Sequence, residues 1–211
     1  DKFLVSDASD SGNLKYVENQ YLGGGTLVQT AKVFYESTQS TDNVTLVNAF
    51  TDDYDHYVMF CALTPSTNAV QLNMRFKNNA GTQVSGSNYD YASRYFNSDG
   101  GLGSSTWSGQ DKIVLTESLS NNPTDSPFVG TLWFNINRNH SSTGNMGAFN
   151  CHGQYHVVEI NNNRRNRAYY HASFYRDSLT NFKAKDIKLY LSSGNFEQAN
   201  VRMYGVKDSN S

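Results

Sequence analysis

Apolar and polar residues alternate with a period of two along much of this chain. In Val70–Lys77, Val70, Leu72, Met74 and Phe76 point one way, and Gln71, Asn73, Arg75 and Lys77 the other. That pattern predicts a strand with one face in a core and one in water. The preceding run, Tyr54–Leu63, is apolar on both faces and predicts a more central strand. Thr64-Pro65-Ser66-Thr67-Asn68 between them has turn chemistry, so the two runs are expected to pair as an antiparallel hairpin. Further strands are predicted around Gln83–Tyr95 and at Thr26–Glu36, Val44–Phe50, Lys112–Glu117, Phe128–Asn137, Tyr155–Ile160, Ala168–Arg176, Asp186–Leu191 and Ala199–Val206. Clusters of Gly, Asn and Ser at 97–105, 120–126, 139–147, 161–166 and 192–195 separate them. Many strands with turn signals between them, and no sustained helical period, predict an all-β fold: a two-sheet antiparallel sandwich of jelly-roll type.

Residues 1–25 differ from the rest. Phe3-Leu4-Val5 and Leu14-Lys15-Tyr16-Val17 flank a polar stretch, and Gly23-Gly24-Gly25 follows. This predicts a short N-terminal hairpin or arm, with the sandwich domain spanning 26–211. So small an apolar set cannot bury itself, which makes Phe3, Leu4, Leu14 and Tyr16 candidate assembly contacts.

Composition narrows the class. Among 211 residues the formal net charge is −2 and only 17% are charged, against about 25% in an ordinary soluble domain. The mean hydropathy is nonetheless −0.61, so polarity comes from Asn, Ser, Thr, Gln and Gly. The near-neutral balance argues against general attraction to nucleic acid, and no apolar run approaches the ~20 residues of a membrane helix. Cys61 and Cys151 lie far apart without metal-ligand spacing and are expected to be buried free thiols.

Motifs for chemistry are sparse. There is no phosphate-binding glycine loop, no Gly-x-Ser-x-Gly elbow and no His-Glu-x-x-His. Asp52, Asp53 and Asp55 crowd a turn, and Glu159 stands alone on its strand, whereas glycoside hydrolysis needs two facing carboxylates. Gln154-Tyr155-His156 has the form of a strand found in sandwich-fold lyases, but no matching Arg-Thr-Glu strand accompanies it. His152 and His156 would sit about 13 Å apart on one strand face, too far for one metal. Arg164, Arg165 and Arg167 at a hairpin tip read as a solvated turn or subunit contact ahead of a nucleic-acid site. The expectation is a non-enzyme without catalytic residues, metal or cofactor. Tyr89, Tyr91 and Trp107, beside long polar loops, are candidate surface or glycan contacts, since such rings stack on sugars; alternation alone would place some of them in the core.

Several stretches carry a resemblance: Asp53-Tyr54-Asp55-His56-Tyr57 entering a strand, Leu72-Asn73-Met74-Arg75-Phe76, Gly86-Ser87-Asn88-Tyr89-Asp90-Tyr91-Ala92, and the closing Val201-Arg202-Met203-Tyr204-Gly205-Val206. In this order they resemble a β-sandwich domain of tailed-phage tail-fibre or virion structural proteins, of the marine and cyanobacterial phage type. The resemblance implies a non-enzymatic component of a virion (tail fibre, head fibre or capsid decoration). Its partners would be other virion proteins, further copies of itself (a trimer first) and a host-surface glycan or protein, with no nucleic acid and no membrane insertion. It transfers no catalytic residue. The rival reading is a carbohydrate-binding module or lectin-like domain of a secreted, extracellular protein.

Overall fold

The computed structural model describes residues 2–6, 14–18, 26–35, 41–78, 80–122, 127–136, 149–161, 163–175 and 184–207; residues 2–6, 14–18, 149, 160, 161, 163–166, 174 and 175 are described as backbone only. The described residues fold into strands: β1 (Lys2–Ser6), β2 (Leu14–Glu18), β3 (Thr26–Tyr35), β4 (Asn43–Leu46), β5 (His56–Pro65), β6 (Val70–Asn78), β7 (Tyr89–Asn97), β8 (Leu102–Gln110), β9 (Ile113–Leu119), β10 (Phe128–Ile136), β11 (Phe149–Asn161), β12 (Asn163–Tyr175), β13 (Ala184–Leu191) and β14 (Phe196–Lys207). β1 and β2 form a separate antiparallel ladder with Phe3 opposite Val17 and Leu4 opposite Tyr16. The side chains of the candidate assembly residues Phe3, Leu4, Leu14 and Tyr16 lie outside the described residues.

The other twelve strands make one continuous sheet, every ladder antiparallel, that forks at β11. One edge of β11 pairs along its whole length with β12, which continues through β7 to β8. The other edge pairs with β10 over Phe149–Val157 and, past the end of β10, meets β9 at Glu159 opposite Leu119. From β10 the order runs β5, β14, β3; from β9 it runs β6, β13, β4, and β4 returns beside β3 and β14. The result is a nearly closed barrel. The expected all-β antiparallel architecture is present, and strand length explains why its ladders run on into one sheet. At thirteen residues β11 outruns the nine-residue β10, so its last backbone groups are free to bridge the second run.

The expected hairpin of β5 with β6 is corrected. β5 pairs with β14 and β10, and β6 with β13 and β9. The turn between them, with Ala69 at φ 58°, crosses from one run to the other, because each strand has an apolar face that must cover its opposite number. Phe76 of β6 meets Phe134 of β10 with centroids 6.3 Å apart, and Phe50 fills the space between Phe134 (5.6 Å) and Tyr57 (5.0 Å). The Tyr57 hydroxyl donates to Thr51 O at 2.6 Å, satisfying a polar atom in this interior. β8 falls in a stretch whose first half is Gly- and Ser-rich and reads as a separator. Its sequence LGSSTWSGQ lacks alternation, and it pairs only along β7.

Candidate functional site

Register decides what the outer face of the sheet displays. Reading across the strands, Arg202 lies opposite Phe60, Phe60 opposite Thr131, Thr131 opposite Gln154, Gln154 opposite Tyr170, and Tyr170 opposite Arg94. A second row runs Tyr204, Val58, Trp133, His152, Ala172, Ala92 and Thr106. Because side chains two apart share a face, both rows point away from the core. The small residues Ala172 and Ala92 sit between larger neighbours and leave a depression. The outcome is an open cleft of about 1060 Å³ whose lining includes Phe60, Trp133, Tyr170, Arg94, His152 and Gln154.

Two inward glycines lie under it. Gly130 and Gly153 occupy core-facing positions on β10 and β11, in line with Leu132 and Tyr155. A Cβ on Gly153 would lie 2.4 Å from both Leu132 Cδ2 and Thr131 O, and one on Gly130 2.3 Å from Tyr155 Cβ. Neighbouring side chains and backbone fill the space where a Cβ would stand, so both positions under the cleft require glycine. Three aromatic rings stand at this surface half open to solvent, Phe60 41%, Trp133 42% and Tyr170 51% exposed. Strand spacing and rise place Trp133 and Tyr170 about 12 Å apart. A shallower depression of about 360 Å³ continues beyond Phe60 along Ala62, Val129, Asn200, Arg202 and Tyr204.

The aromatics singled out from sequence lie elsewhere. Tyr89 is fully buried, its hydroxyl donating to Val84 O and accepting from the Phe76 amide, both at 3.2 Å. Tyr91 is buried too, while Trp107 is half exposed, its ring 6.4 Å from that of Tyr91. Both border a small pocket of about 140 Å³ on the opposite face of β7 and β8, with Tyr95, Arg167 and Tyr169. Trp133, Tyr170, Phe60 and Gln154 were missed as a site because they come from separate strands. The only local signal was an apolar ring at an outward position of an otherwise alternating strand.

Other polar groups serve the interior. Glu159 is buried and accepts from Thr116 Oγ1 at 2.7 Å and Tyr169 OH at 2.5 Å, with Arg167 as ion partner. The Arg167 guanidinium also lies 4.5 Å from the Tyr95 centroid. Burial opposes its charge, but the bond with Tyr169 and the Glu159 carboxylate outweigh this and hold its pKa above normal. The side chains of Arg164 and Arg165 lie outside the described residues. His171 is 3% exposed, between the rings of Tyr91 and Tyr155 at 6.1 Å each, and neither ring nitrogen has a hydrogen-bond partner among the described residues. Burial lowers its pKa to about 4. Cys61 and Cys151 are free and buried, as read from sequence, and burial pushes both thiols up to about 12. Among the described residues no three His, Cys, Asp or Glu side chains are grouped to hold a metal. The cleft itself offers stacking faces and hydrogen-bonding groups, and among the described residues no carboxylate lines it.

No protein-family model matches the chain. No curated protein sequence matches it either. Among solved structures it is similar to an exo-inulinase from Aspergillus awamori, at 9% identity and a TM-score of 0.34, covering 99% of this chain and 35% of that one. A fructofuranosidase from Schwanniomyces occidentalis, complexed with fructosylnystose, gives 7% identity and a TM-score of 0.29, covering 98% and 39%. The carbohydrate-binding module CBM66 from Bacillus subtilis gives 7% and 0.28, covering 85% and 92%. The chain thus spans little more than a third of the first two. The phage resemblance is corrected: no family model and no curated protein carries it, and the solved structures similar to this chain are an exo-inulinase, a fructofuranosidase and a carbohydrate-binding module. The virion structural role, virion partners, virion location and the exclusion of an enzyme are withdrawn with it. The short motifs behind the phage resemblance lie in strands and turns that any antiparallel β-domain needs.

Proposed function

We propose that this chain binds carbohydrate through the outer cleft, as a carbohydrate-binding module or lectin-like domain of an extracellular protein. The observation that carries the reading is the cleft of about 1060 Å³ with Phe60, Trp133 and Tyr170 half exposed beside Gln154, His152 and Arg94. Aromatic faces cover the apolar faces of sugar rings, and amide, imidazole and guanidinium groups satisfy the hydroxyls around them. The rings stand on strands rather than loops, so they are held in place before a ligand arrives and little ordering cost remains. In this reading the run from β3 to β8 and the run from β9 to β4 act as opposed layers of a jelly-roll-like sandwich, the narrower layer bracing the wider. Residues 1–25 form a separate arm ahead of the domain at 26–211. Buried thiols that stay protonated suit an oxidising exterior, because the reactive thiolate is suppressed.

A glycan array followed by titration calorimetry on the best hit tests this. Trp133→Ala and Tyr170→Ala are each expected to weaken binding roughly tenfold, the loss of one aromatic contact of about 1–1.5 kcal/mol. Loss on Trp107→Ala with Trp133→Ala silent would move the site to the smaller pocket bordered by Tyr91 and Trp107. An array without signal from the folded protein refutes the reading.

A further inference from the structure

The rows of the outer face around the cleft carry charge of one sign. Extended by one strand at each end, the central row reads Lys32, Arg202, Phe60, Thr131, Gln154, Tyr170, Arg94 and Ser104. The rows on either side run Tyr204, Val58, Trp133, His152, Ala172, Ala92, Thr106 and Asn200, Ala62, Val129, His156, Ala168, Phe96, Leu102. Three cations and two histidines stand in these rows, and no Asp or Glu does, in a chain that carries two more acids than bases overall. Neither Arg94 nor Arg202 pairs with a carboxylate among the described residues. Arg94 is exposed at the cleft wall, and Arg202 donates from Nε to the amide oxygen of Asn200, at 3.2 Å. The other two arginines with described side chains are ion-paired: Arg75 with Asp111 and Arg167 with Glu159. Five strand spacings separate Arg202 from Arg94, about 24 Å, the reach of an oligosaccharide rather than a single sugar.

We propose that the cleft takes an anionic polysaccharide, its sugar rings stacked on Phe60, Trp133 and Tyr170 and its acidic groups held by Arg94 at one end and by Arg202 and Lys32 at the other. This rests on the carbohydrate reading above. A guanidinium presents a planar fork of donors that matches a carboxylate or a sulfate, and the Gln154 amide one strand beyond Tyr170 supplies a further donor in the same row. A line of cations with no acid beside it in these rows attracts such a chain, and leaves a neutral glycan with stacking and hydrogen bonds but no ionic contact.

The test titrates the full chain with uronic-acid oligomers (galacturonate, mannuronate and glucuronate), each against its methyl ester, and with dextran sulfate against dextran. The inference expects one acidic oligomer to bind at least roughly tenfold tighter than its neutral counterpart, the value of one charge-assisted bond. Affinity should fall as salt is raised. Arg94→Gln should erase most of that preference, weakening the acidic oligomer far more than its neutral counterpart, with the melting temperature unchanged. Preference for an oligouronate or for dextran sulfate identifies the acid as carboxylate or sulfate. Equal binding of acidic and neutral forms overturns the charge inference and leaves the carbohydrate reading standing, as does a preference that Arg94→Gln does not alter. No binding of any of these, nor of any glycan on the array, sinks both.

Discussion

His171 makes the stability of this fold depend on pH in a way that can be isolated. The ring is 3% exposed, flanked by Tyr91 and Tyr155, and its nitrogens have no hydrogen-bond partner among the described residues. Its pKa is about 4 in the folded chain against 6.5 for a free histidine. Because the folded value is the lower one, the unfolded chain binds the extra proton first. The contribution is therefore fully present above pH 6.5 and is lost as pH falls toward 4. The separation corresponds to about 3 kcal/mol at 1.36 kcal/mol per unit. For a chain of this size that is roughly 6–12 °C in melting temperature. His171→Phe keeps the stacked ring and removes both the proton site and two unsatisfied nitrogens. Differential scanning calorimetry between pH 7.5 and 4 should then show the wild type losing stability relative to the variant by about that amount, with most of the difference accruing between pH 6.5 and 4. Parallel curves would mean that His171 is solvated or hydrogen bonded, and the reasoning would be refuted.

Three further expectations follow from the same packing. Gly153→Ala drives a methyl group into Leu132 and the Thr131 carbonyl; chemical denaturation should show a loss of about 1–3 kcal/mol, and unchanged stability would contradict the close approach. Glu159→Gln leaves the Arg167 charge without its carboxylate in a mostly buried site and should cost about 3 kcal/mol, with most of it recovered in Glu159→Gln/Arg167→Leu; an additive double variant contradicts this. Deleting residues 1–25 should leave the thermal midpoint and glycan binding of 26–211 intact, and a deletion that fails to fold would show that the hairpin completes the core.

The sequence by itself determined the local structure. Period-two alternation located β6, β10, β13 and β14 to within a few residues, because a strand with one buried face must alternate. The two-sided apolar run 54–63 marked β5 as central, and it lies between β14 and β10. The pairing of these strands was beyond it. Thr64–Asn68 looks like a hairpin turn, yet β5 and β6 found other neighbours, since an apolar face is satisfied equally well by covering an opposing run as by lying beside the next strand. β8 went unseen because an edge strand with few packed side chains carries no alternation. The cleft was invisible for the same reason that it exists. Phe60, Thr131, Gln154, Tyr170 and Arg94 come from five strands, and only the register of four ladders sets them side by side. The two inward glycines under the cleft have no meaning until Leu132 and Tyr155 lie against them. Sequence thus fixed which residues could face outward. Tertiary structure decided which of them share a surface, because cross-strand register is set by long-range packing.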